Sequence, residues 1–230
     1  MTDGHAAMKP TTPGPVIAGP VLRHAAPDSL VLWLVTSEPA EFAVLVFHDS
    51  ETLLNRPLAD SEVIRLRMGT RAWLNLLTIT PEATLPQDTR LEYDLGLTTD
   101  GSEACEWIRT WAPHICPEGR ERPGFTLKSR LDRILHGSCR RPHHPSPDGL
   151  VRVDEELQMA QKLEDVPSLL LMTGDQVYAD DVAGPMLHAI QCVIHQLGLY
   201  QEVLEGASLS HSKELTSVAN AYYHRDELLP

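Results

Sequence analysis

Apolar positions along the chain change period twice, and the changes divide it into regions. From Val16 the pattern has the short, alternating form of β-structure. Val16 to Gly19 and Val21 to Arg23 are short pieces, and Leu30 to Val35 is a stronger run carrying Trp33. Phe42 to Phe47 follows a Ser-Glu-Pro turn. Val63, Leu66 and Met68 are spaced for an edge strand, and Trp73 to Ile79 is a further candidate. Leu91 to Leu97 alternates, and Trp107 to Trp111 closes the set. Leu53-Leu54 and Leu74 to Leu77 fit a helix as well as a strand. Short strands at intervals of roughly 10–15 residues with turn residues between them predict an antiparallel β-sandwich of the immunoglobulin or fibronectin kind. Its expected span is residues 15–112, behind a mobile Pro/Gly/Thr tail over 1–14.

Residues 113–130 carry Pro113, Pro117, Gly119, Pro123 and Gly124 around a charged centre, which predicts a linker. Beyond it the period changes again. Arg133 to His136 predicts a short strand. Val153, Leu157, Ala160 and Leu163 mark one face of a helix over 151–163. Pro167 opens a second strand over 168–173. Strand, helix, strand is a βαβ unit, whose two strands run parallel. Residues 185–204 predict an amphipathic helix, with Asp180 or Asp181 as its cap. A polar turn and a last helix are expected over 207–221. The expected fold class is therefore multidomain: a β-sandwich, then the start of an α/β domain over 131–230. Two strands are few for such a sheet, so the α/β domain is expected to be truncated.

This topology assigns a place to the candidate chemistry. In open α/β sheets, ligands bind beyond the carboxyl ends of the strands. Cys139 follows the first strand and Asp175 the second, so the two converge although 36 residues apart. Tyr178 lies three residues past Asp175, where both side chains can face one point. A thiolate, a phenolate and a carboxylate suit ferric iron better than magnesium. A carboxylate can also bridge to a second metal, and metal pairs hydrolyse phosphate esters. Arg140 and Arg141 are placed either to bind phosphate or to sit in a solvated loop.

These residues also carry a resemblance. HGSCRRP at 136–142 together with LLLMTGDQVYADD at 169–181 resembles the PhoD-type alkaline phosphatases. GPVLRHAAPDSLVLWL at 19–34 resembles the opening of that family's sandwich domain. The resemblance implies hydrolysis of phosphomonoesters or phosphodiesters by metal-activated water. It implies iron on Cys139, Asp175 and Tyr178, with Asp175 shared with calcium. Family members are longer, and their later segments supply further Asn, Asp and His ligands. NAYYH at 220–224 is only a superficial counterpart, so this chain is expected to hold part of a metal site. The expected catalytic residues are Asp175 and Arg140.

Several other groups have plainer expected roles. His143 and His144 lie in a Pro-rich loop, where one of them could reach substrate or metal. His136 is expected to be a packed strand residue, and His188 and His195 to be surface or core positions of the long helix.

Composition narrows the alternatives. A formal net charge of −13 argues against a nucleic-acid or anionic-membrane surface. The Arg residues between 120 and 152 are then a small-anion site or a solvated face. The four cysteines form no CxxC pair, which argues against a zinc knuckle. With no apolar leader and no membrane-length apolar run, a cytoplasmic protein is expected. The expected partner is a small phosphate ester, with self-association through an incomplete sheet. The competing expectation is a non-catalytic fragment or pseudoenzyme that binds a partner through its sandwich.

Overall fold

The structure, a computed structural model, describes residues 13–102, 104–141, 144–178, 182, 184–203, 205–206, 210–212 and 214. The fold is rich in β-structure, as the alternating pattern predicts. One antiparallel sheet has the order β1 (Val16–Ala26), β2 (Ser29–Thr36), β6 (Ala72–Ile79), β5 (Val63–Gly69). The other has the order β4 (Glu51–Pro57), β3 (Ala40–His48), β7 (Arg90–Thr99), β8 (Glu106–Trp107). The two apolar pieces expected near the start are one strand. Its register shifts around Ala18 and Val21 absorb Pro20, which has no amide hydrogen for the ladder.

Period-2 alternation builds the core. Leu30, Leu32 and Leu34 of β2 and Phe42, Val44 and Val46 of β3 are buried, and they join Leu77, Ile79, Leu91 and Leu95 in one cluster. Leu53-Leu54 and Leu74 to Leu77, ambiguous in sequence, are both strand. A polar stitch spans the two sheets. The Asn75 amide, fully buried, donates to Thr36 Oγ1 at 3.1 Å and to the Trp73 carbonyl at 2.9 Å. It accepts from Arg65 Nε at 3.1 Å, and Arg65 also donates to the Ala40 carbonyl of the other sheet. Arg65 is itself exposed and reaches in only with its guanidinium. Ile64, Leu66 and Met68 alternate with it along β5 and are exposed as well.

Two expectations around the sandwich change. Trp107 to Trp111 is not one strand: after β8 the chain turns into the short helix α1 (Ile108–Trp111). Buried Asp94 drives this turn, because its Oδ1 accepts the N–H groups of Leu95 at 2.9 Å and of Ile108 at 3.1 Å. Burial pushes the Asp94 carboxyl above its ordinary range. The stretch expected as a linker also contains β9 (Gly124–Thr126), which pairs with β7, and Leu127 enters the sandwich core. A three-residue strand is too short to show alternation, which is why its Pro/Gly surroundings dominate the sequence signal.

The βαβ unit is present. β10 (Ile134–Gly137) and β11 (Leu169–Met172) are parallel, in register from Ile134 opposite Leu169 to Gly137 opposite Met172. Between them α2 covers Gly149–Met159, capped by Asp148, whose side chain accepts from Leu150 N at 3.1 Å. The helix stops short of the expected Leu163, which lies in a 3-10 turn. α3 spans Gly184–Leu197, with Pro185 in its first turn. It ends before the expected 204 because Gly198 takes φ +57°, the left-handed stop of a helix. Among the described residues the β10–β11 sheet has only two strands, and Ile134 and Leu169 to Leu171 are exposed. No helix among them is long and apolar enough to cross a membrane.

Backbone contacts join the two regions. The turn after β5 donates Thr70 N to the Gly198 carbonyl at 3.0 Å and Arg71 N to the Leu197 carbonyl at 2.9 Å. Tyr200 N returns a bond to the Met68 carbonyl at 3.0 Å. The Leu197 carbonyl at the end of α3 and the Gly198 carbonyl just past it are thus satisfied by the turn after β5, while Ile194 and His195 accept from Leu199 and Gly198 N–H. The tail over 1–12, His143, Asp180, Asp181, most of the helix expected over 207–221 and the NAYYH segment lie outside the described residues.

Candidate metal centre

The parallel register sets the site. Because Gly137 pairs with Met172, the chain leaves both strands at the same level, and Thr173 N adds a bond to the Gly137 carbonyl at 3.0 Å. Cys139 and Asp175 then meet across the gap, as the spacing predicts. The Ser138 hydroxyl donates to the Cys139 sulfur at 3.7 Å. The nearby Tyr178 hydroxyl does most to hold this thiol below its ordinary pKa, followed by the Asp175 backbone N–H; the Asp175 carboxylate opposes them. The thiol in turn raises the Tyr178 phenol above its ordinary value. Cys139 and Asp175 are exposed, and Tyr178 is half-buried.

Gly174 is what lets the loops approach. It sits at φ +82°, and a Cβ there would stand 2.7 Å from Cys139 Sγ. Both facts exclude a larger residue. The turn then delivers the Asp175 carbonyl to Arg140 N–H at 2.8 Å.

Arg140 joins the site through that backbone bond. Its guanidinium is held by Asp148, with Nη2 at 2.7 Å and Nε at 3.1 Å from Oδ2. Asp148 therefore caps α2 and locks the loop after β10 with one carboxylate. Arg141 is exposed, and its positive charge opposes the rise of the Tyr178 pKa. A cleft of about 460 Å³ opens beside the site, with Leu135, Val153, Leu170 and Met172 on its walls and both arginines in its lining.

The histidines stand apart. His136 was expected to be packed but is exposed, with Nε2 3.1 Å from Thr173 Oγ1, because that face of the two-stranded sheet is open. His144 is exposed and turns back to Ser146 Oγ at 2.8 Å. His188 and His195 are surface residues of α3, and His188 Nε2 lies 3.7 Å from Cys192 Sγ. Among the described residues no three His, Cys, Asp or Glu side chains gather to hold a metal. The candidate set reaches three donors through the phenol of Tyr178. One thiol, one phenol and one carboxylate is chemistry that fits ferric iron.

Asp148 escaped the sequence reasoning, although an Asp before a helix is a visible signal. Gly174 and Gln176 stand inside LLLMTGDQVYADD, where the pattern gives neither a role at the site. Compared with known proteins, the chain matches no family model and no curated sequence.

Proposed function

We propose that the protein takes part in metal-dependent hydrolysis of phosphate esters, in the manner of the PhoD-type alkaline phosphatases its motifs resemble. The observation that carries this is the convergence of the Cys139 and Asp175 loops beyond two parallel strand ends, with Tyr178 close enough to the thiol for each to shift the other's pKa. On this reading Cys139, Asp175 and Tyr178 hold iron, and Asp175 is also shared with calcium. Metals bound there supply positive charge to the phosphate oxygens and acidity to water.

The chain's own residues prepare that site. The Tyr178 hydroxyl and the Asp175 backbone N–H near the sulfur lower the Cys139 pKa and so favour the thiolate, the form that ligates. Gly174 allows the close approach of the two loops. Arg140 fixes the Asp175 backbone while Asp148 anchors its guanidinium. The substrate is a small phosphate ester, and the protein acts in the cytoplasm.

The test is metal analysis together with hydrolysis of p-nitrophenyl phosphate and bis-p-nitrophenyl phosphate. Wild type should carry iron and turn over at least one substrate, and Asp175→Asn should lose both properties. A chain without iron whose turnover is unchanged by Asp175→Asn refutes the reading.

One feature favours the competing reading of a binding module. Ile64, Leu66 and Met68 expose an apolar stripe on edge strand β5, 63%, 57% and 42% accessible, where a partner strand or face can dock. Light scattering separates self-association from a monomer, and Leu66→Lys should abolish association through this edge.

A further inference from the structure

We propose that Gln176 is the positioning residue of this site, clamping the two strand-end loops to each other through its side-chain amide. Its Nε2 donates to the Ser138 carbonyl at 3.1 Å and to the Gly174 carbonyl at 3.3 Å. Ser138 immediately precedes Cys139, and Gly174 immediately precedes Asp175. One amide group thus spans the two peptide units that lead into two of the three candidate ligands. An amide NH₂ carries two hydrogens, so both carbonyls are served without competition.

The geometry has a directional consequence. With the Ser138 and Gly174 carbonyls turned to Gln176, the N–H groups of the same trans peptide units, those of Cys139 and Asp175, point the other way. The Arg140 N–H, one peptide further on, bonds the Asp175 carbonyl at 2.8 Å, so the Gln176 clamp and this bond hold the same two loops together. The backbone bonds at 3.0 Å and 2.8 Å hold the loops together, but none of them reaches the Ser138 carbonyl. A carboxylate in place of the amide would repel both carbonyls, and an aliphatic chain would leave them to water. Gln176 is exposed, so neither change disturbs the core.

The inference takes the site to be that of the proposed hydrolase, and its test separates the two claims. Amide hydrogen exchange is followed by NMR on the metal-free full chain for wild type, Gln176→Leu, Gln176→Glu and Gln176→Lys. Exchange at Arg140 N–H should accelerate about tenfold in the Leu variant and further in the Glu variant, as loss of two neutral hydrogen bonds implies. Lys, which still donates, should retain protection. Ladder amides within β11 should not change. In the iron-loaded protein, the thiolate and phenolate charge-transfer absorption should weaken in the Leu and Glu variants. There kcat should fall about tenfold while KM stays within about twofold, the mark of a group that orients rather than binds. Unchanged Arg140 exchange in both the Leu and Glu variants overturns the inference, as does equal loosening of the β11 ladder. If wild type shows neither iron nor turnover, the hydrolase reading fails, and the exchange data still decide the role of Gln176.

Discussion

Gly198 and Thr70 meet backbone to backbone: the carbonyl just past the end of α3 accepts the N–H of a turn 128 residues earlier in the chain, at 3.0 Å. Two glycines make this possible. Gly198 has φ +57° and its α-carbon faces the Thr70 side chain, while a Cβ on Gly69 would stand 2.6 Å from the Gly198 carbonyl oxygen. Gly198→Ala should therefore cost about 1–3 kcal/mol, from a left-handed backbone together with a clash. Urea denaturation of the variant measures it. A value near zero would mean the turn and the helix do not hold each other.

Within the sandwich, Asn75 should be the most costly polar residue to replace. It is fully buried, and its removal takes the amide hydrogens from the buried Thr36 hydroxyl and from the Trp73 carbonyl. Asn75→Leu is expected to lose about 1–3 kcal/mol, the range for an unsatisfied buried group. Equilibrium unfolding reads this directly. Thr36→Val should cost less, because the Asn75 amide keeps its bond to the Trp73 carbonyl.

Acid should weaken the protein in a window set by Glu62. Arg56 grips this carboxylate with two bonds of 2.7 Å, and that contact depresses its pKa from 4.5 to about 2. A depressed carboxylate contributes stability that is fully present above its unfolded value and is lost as pH falls through the folded one. The contribution should therefore hold above about pH 4.5 and fade towards pH 2. Glu62→Gln should be about 1–2 kcal/mol less stable than wild type near neutrality, a modest value for a partly solvated bidentate pair. The two proteins should converge at the acid end. Thermal unfolding of both across pH 2–7 checks the sign, and a gap that widens on acidification would contradict it.

Gly174 offers a test confined to the site. Gly174→Ala places a methyl group against the Cys139 sulfur and forces an L-residue to φ +82°. Iron binding and hydrolysis should both fall by at least about tenfold, while global stability drops by only about 1 kcal/mol because the loop is exposed. Circular dichroism separates loss of the site from loss of the fold. Full activity in this variant would show that the loops need not approach so closely.

Much of this was legible in the order of residues. Alternation at Leu30 to Val35 and Phe42 to Phe47 is enforced by the pleat, since every second side chain enters one core. The shift from period 2 to helical spacing after residue 130 announced the βαβ unit, and that unit alone brings Cys139 to Asp175, because parallel strands end on the same side. Pattern could also place Tyr178 near them. What only the tertiary structure decided are contacts between groups that carry no periodic signal. Whether Arg140 turns to substrate or to Asp148, whether Gln176 clamps two loops, and whether Gly198 rests on Thr70 depend on distances between segments far apart in the chain. Trp107 to Trp111 bends into α1 because a buried carboxylate on another strand captures the Ile108 N–H, and no local propensity records that. Local sequence specifies strands, helices and turns through short-range sterics and the partition of apolar side chains. The site is completed by hydrogen bonds whose partners become neighbours only after the core has formed.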